Sequence, residues 1–398
     1  REQAVGLLEL SRVLVLLNRL ECLEFAEQAV SASAALEDKV FHSIVKGMWG
    51  GLNLLLRPWR EDYSAACHES MAAVRATGNP LALHSRLTQH IYVELLASNY
   101  QAAATTAVEA LALSRIMGDG YMFIAGHYYY GLTLLHKGEW GRLRETAEQS
   151  RRAFEGHDAG LLLRLHRHIL MGWLHVVSGD FSRAKAYCEE ALSEGVGAWA
   201  DFVSVHCSAI LGKALHGLKD YAGAIRCFDA FFQAEKNNAL PIFSNYFFPA
   251  CFGVGETWLA LGKLDKARRY AQRLYDLSSG PSERTYLALS HRLFAEIAIV
   301  EESWDEAHSH ITEALEIVEN AEIPLAAWKV YATGEKLHYR RDDVKRMGYY
   351  RSKKQDEINQ LLDSLQPSDP LRKHLLNLAE TDKCDSLSSV RYSPLQGI

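Results

Sequence analysis

Seventeen histidines are the first place to look for chemistry in this chain of 398 residues. His166 and His168, like His308 and His310, stand two residues apart. On a helix that spacing sends the two rings to different sides, whereas helical zinc sites use pairs three or four apart with a third ligand, as in His-Glu-x-x-His. That motif is absent, and Glu306 with His310, four apart, reads as a surface polar contact. The expectation is no metal and no other cofactor. The acidic neighbours Glu301-Glu302 and Asp305-Glu306 flank a turn, while general acid–base catalysis needs carboxylates converging across a cleft. There is no Gly-x-Ser-x-Gly elbow, no cysteine in a nucleophile motif and no Gly-x-x-x-x-Gly-Lys-Ser/Thr phosphate cradle. The chain reads as non-catalytic.

Binding is the chemistry that remains. Aromatic residues mixed with charges stand at fixed offsets from the glycines of a repeated phrase, and the family resemblance that this phrase carries implies that they face inward: Tyr92, Tyr128, Leu132, His166, Trp173, His206, Lys213, Phe252, Glu256, Arg292 and Glu296. Such a mixture suits a groove that docks a partner. A basic run, Lys336, Arg340, Arg341, Lys345, Arg346, Arg351, Lys353 and Lys354, is interleaved with Tyr339, Tyr349 and Tyr350. Phosphate backbones are bound by such cation–aromatic surfaces, but the plainer reading is the solvated convex face of a last repeat. The formal charge of -6 also argues against a general nucleic-acid binder.

What positions these residues is a repeated phrase. GLTLLHKGEWGRLRETA (131–147) is followed by GWLHVVSGDFSRAKAYC and GKALHGLKDYAGAIRCF. Gly131, Gly172, Gly212 and Gly255 each precede Trp140, Phe181, Tyr221 and Leu264 by nine residues, with Ala295 and Trp304 in the same relation and Ile91 and Tyr100 more loosely so. Three residues after that position come Ala103, Ala184, Ala224, Ala267 and Ala307, with Leu143 the exception. Glycine costs helix stability and needs a reason, here a small residue where a partner helix crosses. The phrase therefore predicts a helix, a tight turn at Gly138-Glu139, Gly179-Asp180, Lys219-Asp220 or Gly262-Lys263, and a second helix facing the first. A lone pair cannot bury its apolar stripe, so the pairs must stack.

This pattern resembles the tetratricopeptide repeat, most strongly over residues 80–320. Positions 100, 140, 181, 221, 264 and 304 step by 40, 41, 40, 43 and 40, longer than that family's usual unit. The resemblance implies an all-α, right-handed superhelical solenoid of eight or nine hairpins, its first helices lining the concave surface where partners dock. The units read as 1–34, 38–77, 80–116, 120–156, 159–195, 198–236, 241–278, 281–320 and 323–365, with a capping helix at 369–380 and a loose tail from 381 to 398. The C-terminal stretches LHYRRDD, YYRSKKQDEINQLLDSL and PLRKHLL are similar to the closing repeat of bacterial multidomain signalling ATPases and transcription regulators. That second resemblance implies a sensor arm whose ATPase or output domain lies upstream of Arg1, where an amphipathic pattern is already under way.

The expected function is a protein-interaction or sensor module that binds a peptide, a protein or a small effector in its groove. A free-standing scaffold is the alternative, and nucleic-acid binding through the basic run comes third. Seven scattered cysteines with no Cys-x-x-Cys read as reduced thiols. With no apolar run long enough for a membrane span and no leader sequence, the expected location is the cytoplasm.

Overall fold

The computed structural model describes residues 1–16, 20–57, 59–118, 120–153, 160–197, 200–236, 244–281 and 283–384. They form nine antiparallel helix pairs and a final helix. The pairs are α1 (Glu2–Leu16) with α2 (Cys22–Ala34), α3 (Lys39–Leu56) with α4 (Glu61–Thr77), and α5 (Pro80–Leu96) with α6 (Tyr100–Met117). Next come α7 (Gly120–Lys137) with α8 (Trp140–Ala153), α9 (Gly160–Ser178) with α10 (Phe181–Glu194), and α11 (Ala200–Gly217) with α12 (Tyr221–Lys236). The last are α13 (Ser244–Ala260) with α14 (Leu264–Ser279), α15 (Arg284–Val300) with α16 (Trp304–Glu319), and α17 (Pro324–Arg340) with α18 (Val344–Asp363), before α19 (Pro370–Cys384). The capping helix thus runs four residues beyond the expected 380; the rest of the expected tail, 385–398, lies outside the described residues.

One backbone device closes most of the hairpins. Ser98 (φ 54°), Gly138 (75°), Gly179 (87°), Lys219 (63°), Gly262 (67°), Glu302 (58°) and Asp342 (52°) are all left-handed. After six of them the next N–H reaches the carbonyl five residues back: Asn99 to Glu94, Glu139 to Leu134, Asp220 to Leu215, Lys263 to Trp258, Ser303 to Ala298 and Asp343 to His338, each at 2.9 Å. This is the Schellman ending, which satisfies carbonyls that the first helix leaves open. Glycine adopts it freely, while the four other residue types accept a local cost of about 1–2 kcal/mol.

The small residues after each turn behave as expected. Ala103, Ala184, Ala224, Ala267 and Ala307 are wholly buried. The repeat glycines have a different role from the expected one. A methyl on Gly131 would stand 2.2 Å from Leu170, and one on Gly255 2.4 Å from Leu293. Both leucines belong to the first helix of the following pair, so these glycines let successive first helices approach. Gly212 alone of the four meets the second helix of its own pair most closely, at Phe228.

Stacking continues until the array meets itself. Trp59 packs against Gly280, the Ser98–Tyr100 turn sits on the start of α15, and the Gly138–Gly141 turn meets Pro324, Leu361 and Ser364. The Gly179 turn rests on His374 and Leu378 of α19. Arg144 pairs with Asp369, and the Trp140 N–H lies 3.3 Å from the Ser364 hydroxyl. The turns of the second to fifth pairs therefore each touch the element five pairs later, and the concave surface narrows to a channel. No helix among the described residues is long and apolar enough to cross a membrane.

Candidate ligand channel

The first helices α7, α9, α11, α13, α15 and α17 present their concave sides to a cavity of about 390 Å³. Its walls are aromatic and aliphatic: Trp173, Tyr246, Phe248, Phe252, Tyr286 and Trp328 with leucines and valines between them. Phe248 and Tyr286 stack with centroids 5.6 Å apart, and Trp173 approaches Tyr246 at 6.1 Å. The Tyr246 hydroxyl is buried on this wall without a hydrogen-bond partner among the described residues. The cavity's size falls within the range of small-molecule sites.

Charge is concentrated at one place on the wall. Glu256 accepts from Lys213 Nζ at 3.1 Å and from Arg292 Nη1 at 2.9 Å. Burial opposes its charge, but Lys213, Lys329 and Arg292 around it hold its carboxyl well below the usual carboxylate range. Both amines also lie over aromatic faces, Lys213 Nζ 4.5 Å from the Phe252 centroid and Lys329 Nζ 4.5 Å from that of Trp328. His216 bonds Thr257 at 3.0 Å, and burial pushes it down to about 4, so it is neutral. Three permanent cations thus surround one carboxylate on an aromatic wall. A neighbouring network repeats the logic with fewer cations: Glu296 accepts from Thr333 at 2.6 Å and Lys336 at 2.7 Å.

The other end of the wall is neutralised differently. Glu283 caps α15 by accepting the Tyr286 N–H at 2.6 Å, and it also accepts from the Ser98 and Tyr100 hydroxyls at 2.8 and 3.1 Å. It is 3% exposed, and desolvation pushes its carboxyl up to about 7 despite those donors. This residue joins the third pair to the eighth and lines the channel at the seam.

Of the residues expected in the groove, Leu132, Trp173, Lys213, Phe252 and Glu256 line the cavity. Arg292 and Glu296 act through the charge networks. Tyr92, Tyr128, His166 and His206 pack beside the lining in an aromatic ladder: Tyr92 with Tyr129 at 5.9 Å, Tyr128 with His166 at 4.6 Å and His206 with Tyr246 at 4.1 Å. Missed were His136, Val177 and Gly217, each one helical turn beyond Leu132, Trp173 and Lys213. Extending those three by the i, i+4 rule would have found them. Trp328 and Lys329, on the next first helix α17, were missed because the expected set stopped at α15, whereas Glu283 was missed because the closing seam brings it to Ser98 and Tyr100.

The basic run does not form one exposed face. Arg340, Arg341, Lys345, Arg346, Arg351 and Lys353 are exposed, but Lys354 is 3% exposed and paired with Glu335, which also accepts from Arg351 Nε at 2.7 Å. Lys354 is therefore a core ion-pair residue rather than a surface cation. Tyr350 is buried and stacked on His338 at 5.2 Å, which removes it from any stacking surface.

Known structures place this architecture. A Rap protein complexed with Competence and Sporulation Factor superposes with a TM-score of 0.67 at 12% identity, covering 92% of this chain and 100% of that one. The fold is a tetratricopeptide-type α-solenoid. The Rap conjugation gene regulator of plasmid pLS20, in complex with the Phr* peptide, gives 0.58 at 13% identity, covering 92% of this chain and 98% of that one. A chain of the APC/C hetero-tetramer Cut9-Hcn1 gives 0.57 at 15% identity, with 94% of this chain and 65% of that one covered. No protein-family model matches the chain, and no curated protein matches its sequence.

Proposed function

We propose that this solenoid is a non-catalytic interaction module whose closed channel takes a short ligand carrying a carboxylate or phosphate, either the end of a peptide or a small effector. The observation that carries the reading is the cluster of Lys213, Arg292 and Lys329 around buried Glu256 on an aromatic wall, with Arg292 shared with the neighbouring Glu296. An anion entering there gains Coulomb attraction in a poorly solvated place and stacks its apolar part on Trp173, Phe252 or Trp328. Two solenoids of the same fold, at low identity, are described in complex with Competence and Sporulation Factor and with the Phr* peptide, which supports a bound partner here.

In a larger chain, ligand binding would bias an attached switch domain through its different affinity for two channel states. A signalling ATPase or transcription regulator is the proposed parent, and the reading frame upstream of Arg1 tests that part. The ligand itself is sought by calorimetry with short peptides bearing free or amidated C-termini, beside small carboxylates and phosphates. Free-acid ligands should bind and amidated ones should lose about tenfold or more, a difference that Lys329→Met abolishes. Equal binding of acid and amide, or no effect of Lys329→Met, refutes the anion reading.

A further inference from the structure

Outside the channel, the eighth pair brings together three groups that sequence spacing had kept apart. His291 projects from α15, and His310 and Glu313 project from α16. The His291 Nδ1 lies 3.2 Å from His310 Nδ1 and 3.1 Å from Glu313 Oε2. A tetrahedral zinc ion with bonds of about 2.0–2.1 Å holds its ligand atoms about 3.3 Å apart. Both contacts have that edge length.

The rings are held in place by their neighbours. Phe294 stacks on His310 at 4.9 Å and 18°, and Tyr275 meets His291 edge-on at 5.5 Å. Glu313 has the Ser309 hydroxyl 3.5 Å from its other oxygen. Hydrogen bonding alone serves the trio poorly. A neutral imidazole nitrogen either donates one proton or accepts one, so His291 Nδ1 cannot fully satisfy His310 and Glu313 together. A divalent cation accepts lone pairs from all three.

We propose that His291, His310 and Glu313 form a binding site for zinc or a similar borderline divalent ion, with the remaining position open to solvent beside the half-exposed Glu313. The ion would clamp α15 to α16 in the pair whose first turn carries the Glu283 seam. The earlier expectation of no metal rested on spacing within single helices, and this site crosses a hairpin. A second trio, His68, His90 and Glu94, is less suited. His68 Nδ1 bonds the Ser64 carbonyl at 2.9 Å, and its Nε2 lies 3.6 Å from Glu94, so a protonated His68 accounts for that cluster as an ion pair.

The full chain, stripped by chelation and dialysed, is titrated with Zn²⁺ and with Co²⁺ as the visible probe. The expected result is one equivalent bound at this site, strong absorption of four-coordinate cobalt and a raised Tm with Zn²⁺. His310→Ala and Glu313→Gln should each weaken binding by about tenfold or more, as loss of metal-site groups does. Glu313 is half exposed, so its replacement leaves the packing intact, and far-UV circular dichroism checks the fold of both variants. A His68→Gln/His90→Gln chain should keep the site. No uptake by the folded wild type, unchanged affinity in Glu313→Gln, or loss only in the His68/His90 chain overturns the proposal.

Discussion

Replacing Glu283 by glutamine should stabilise the protein at pH 8 and do so much less close to pH 5. The folded carboxyl is pushed up to about 7 from its ordinary 4.5 by burial at the seam between the third and eighth pairs. The folded protein therefore keeps a proton that the unfolded chain loses, and stability falls as pH rises from 4.5 through 7. At about 1.4 kcal/mol per pH unit, the shift amounts to roughly 3 kcal/mol once the group is ionised. Glutamine retains the shape without the charge. Its carbonyl can cap the Tyr286 N–H, and its amide can donate to the Ser98 and Tyr100 oxygens, which now accept.

The assay is urea unfolding at pH 5, 6, 7 and 8, followed by circular dichroism and tryptophan fluorescence, since stacked repeats need coincident probes before a free energy is assigned. Buried His127, His136, His166 and His216, each pushed down to about 4, act in the opposite direction as pH rises toward 6.5. They are common to both proteins, so the difference between variant and wild type isolates Glu283. That difference should grow from under about 1 kcal/mol at pH 5 to about 3 kcal/mol at pH 8 in favour of glutamine. A difference independent of pH would refute the reasoning, because it would mean that Glu283 has the same proton affinity folded and unfolded.

Further outcomes concern packing and turns. Gly255→Ala drives a methyl to 2.4 Å from Leu293 and should cost about 1–3 kcal/mol in chemical denaturation. Gly348→Ala, with nothing within 4 Å on an exposed helix face, should stabilise by about 0.5–1 kcal/mol. Glu335→Ala strands the buried Lys354 and should lower stability by about 3–5 kcal/mol, whereas exposed Lys353→Ala should change it little. Glu302→Gly relieves a left-handed residue at an exposed turn, and thermal unfolding should register a gain of about 1 kcal/mol or less.

The sequence by itself determined the hairpins. Alanines three residues into the second helix mark where it packs, while the glycines nine residues before that helix mark where successive first helices approach, because backbones come close only where side chains are small. The left-handed turn residue is legible too, since helix reversal at a fixed point needs one whether it is Gly138 or Lys219. Part of the channel wall follows from the same register: Leu132, Trp173, Lys213, Phe252 and Glu256 lie on first helices at predictable positions.

Only the tertiary structure decided the rest. The rotation from one pair to the next is small, and it accumulates through every interface, so no window of sequence states how many pairs complete a turn. That sum brings Ser98 and Tyr100 to Glu283, sets α19 beneath the Gly179 turn, and converts an open groove into a cavity. It also decides which charges lose water: Lys354 sits in an exposed-looking basic run yet is buried against Glu335. The His291, His310 and Glu313 cluster depends on the register between two antiparallel helices. Periodicity fixes each helix face, but the depth at which side chains interlock fixes which atoms meet across the hairpin.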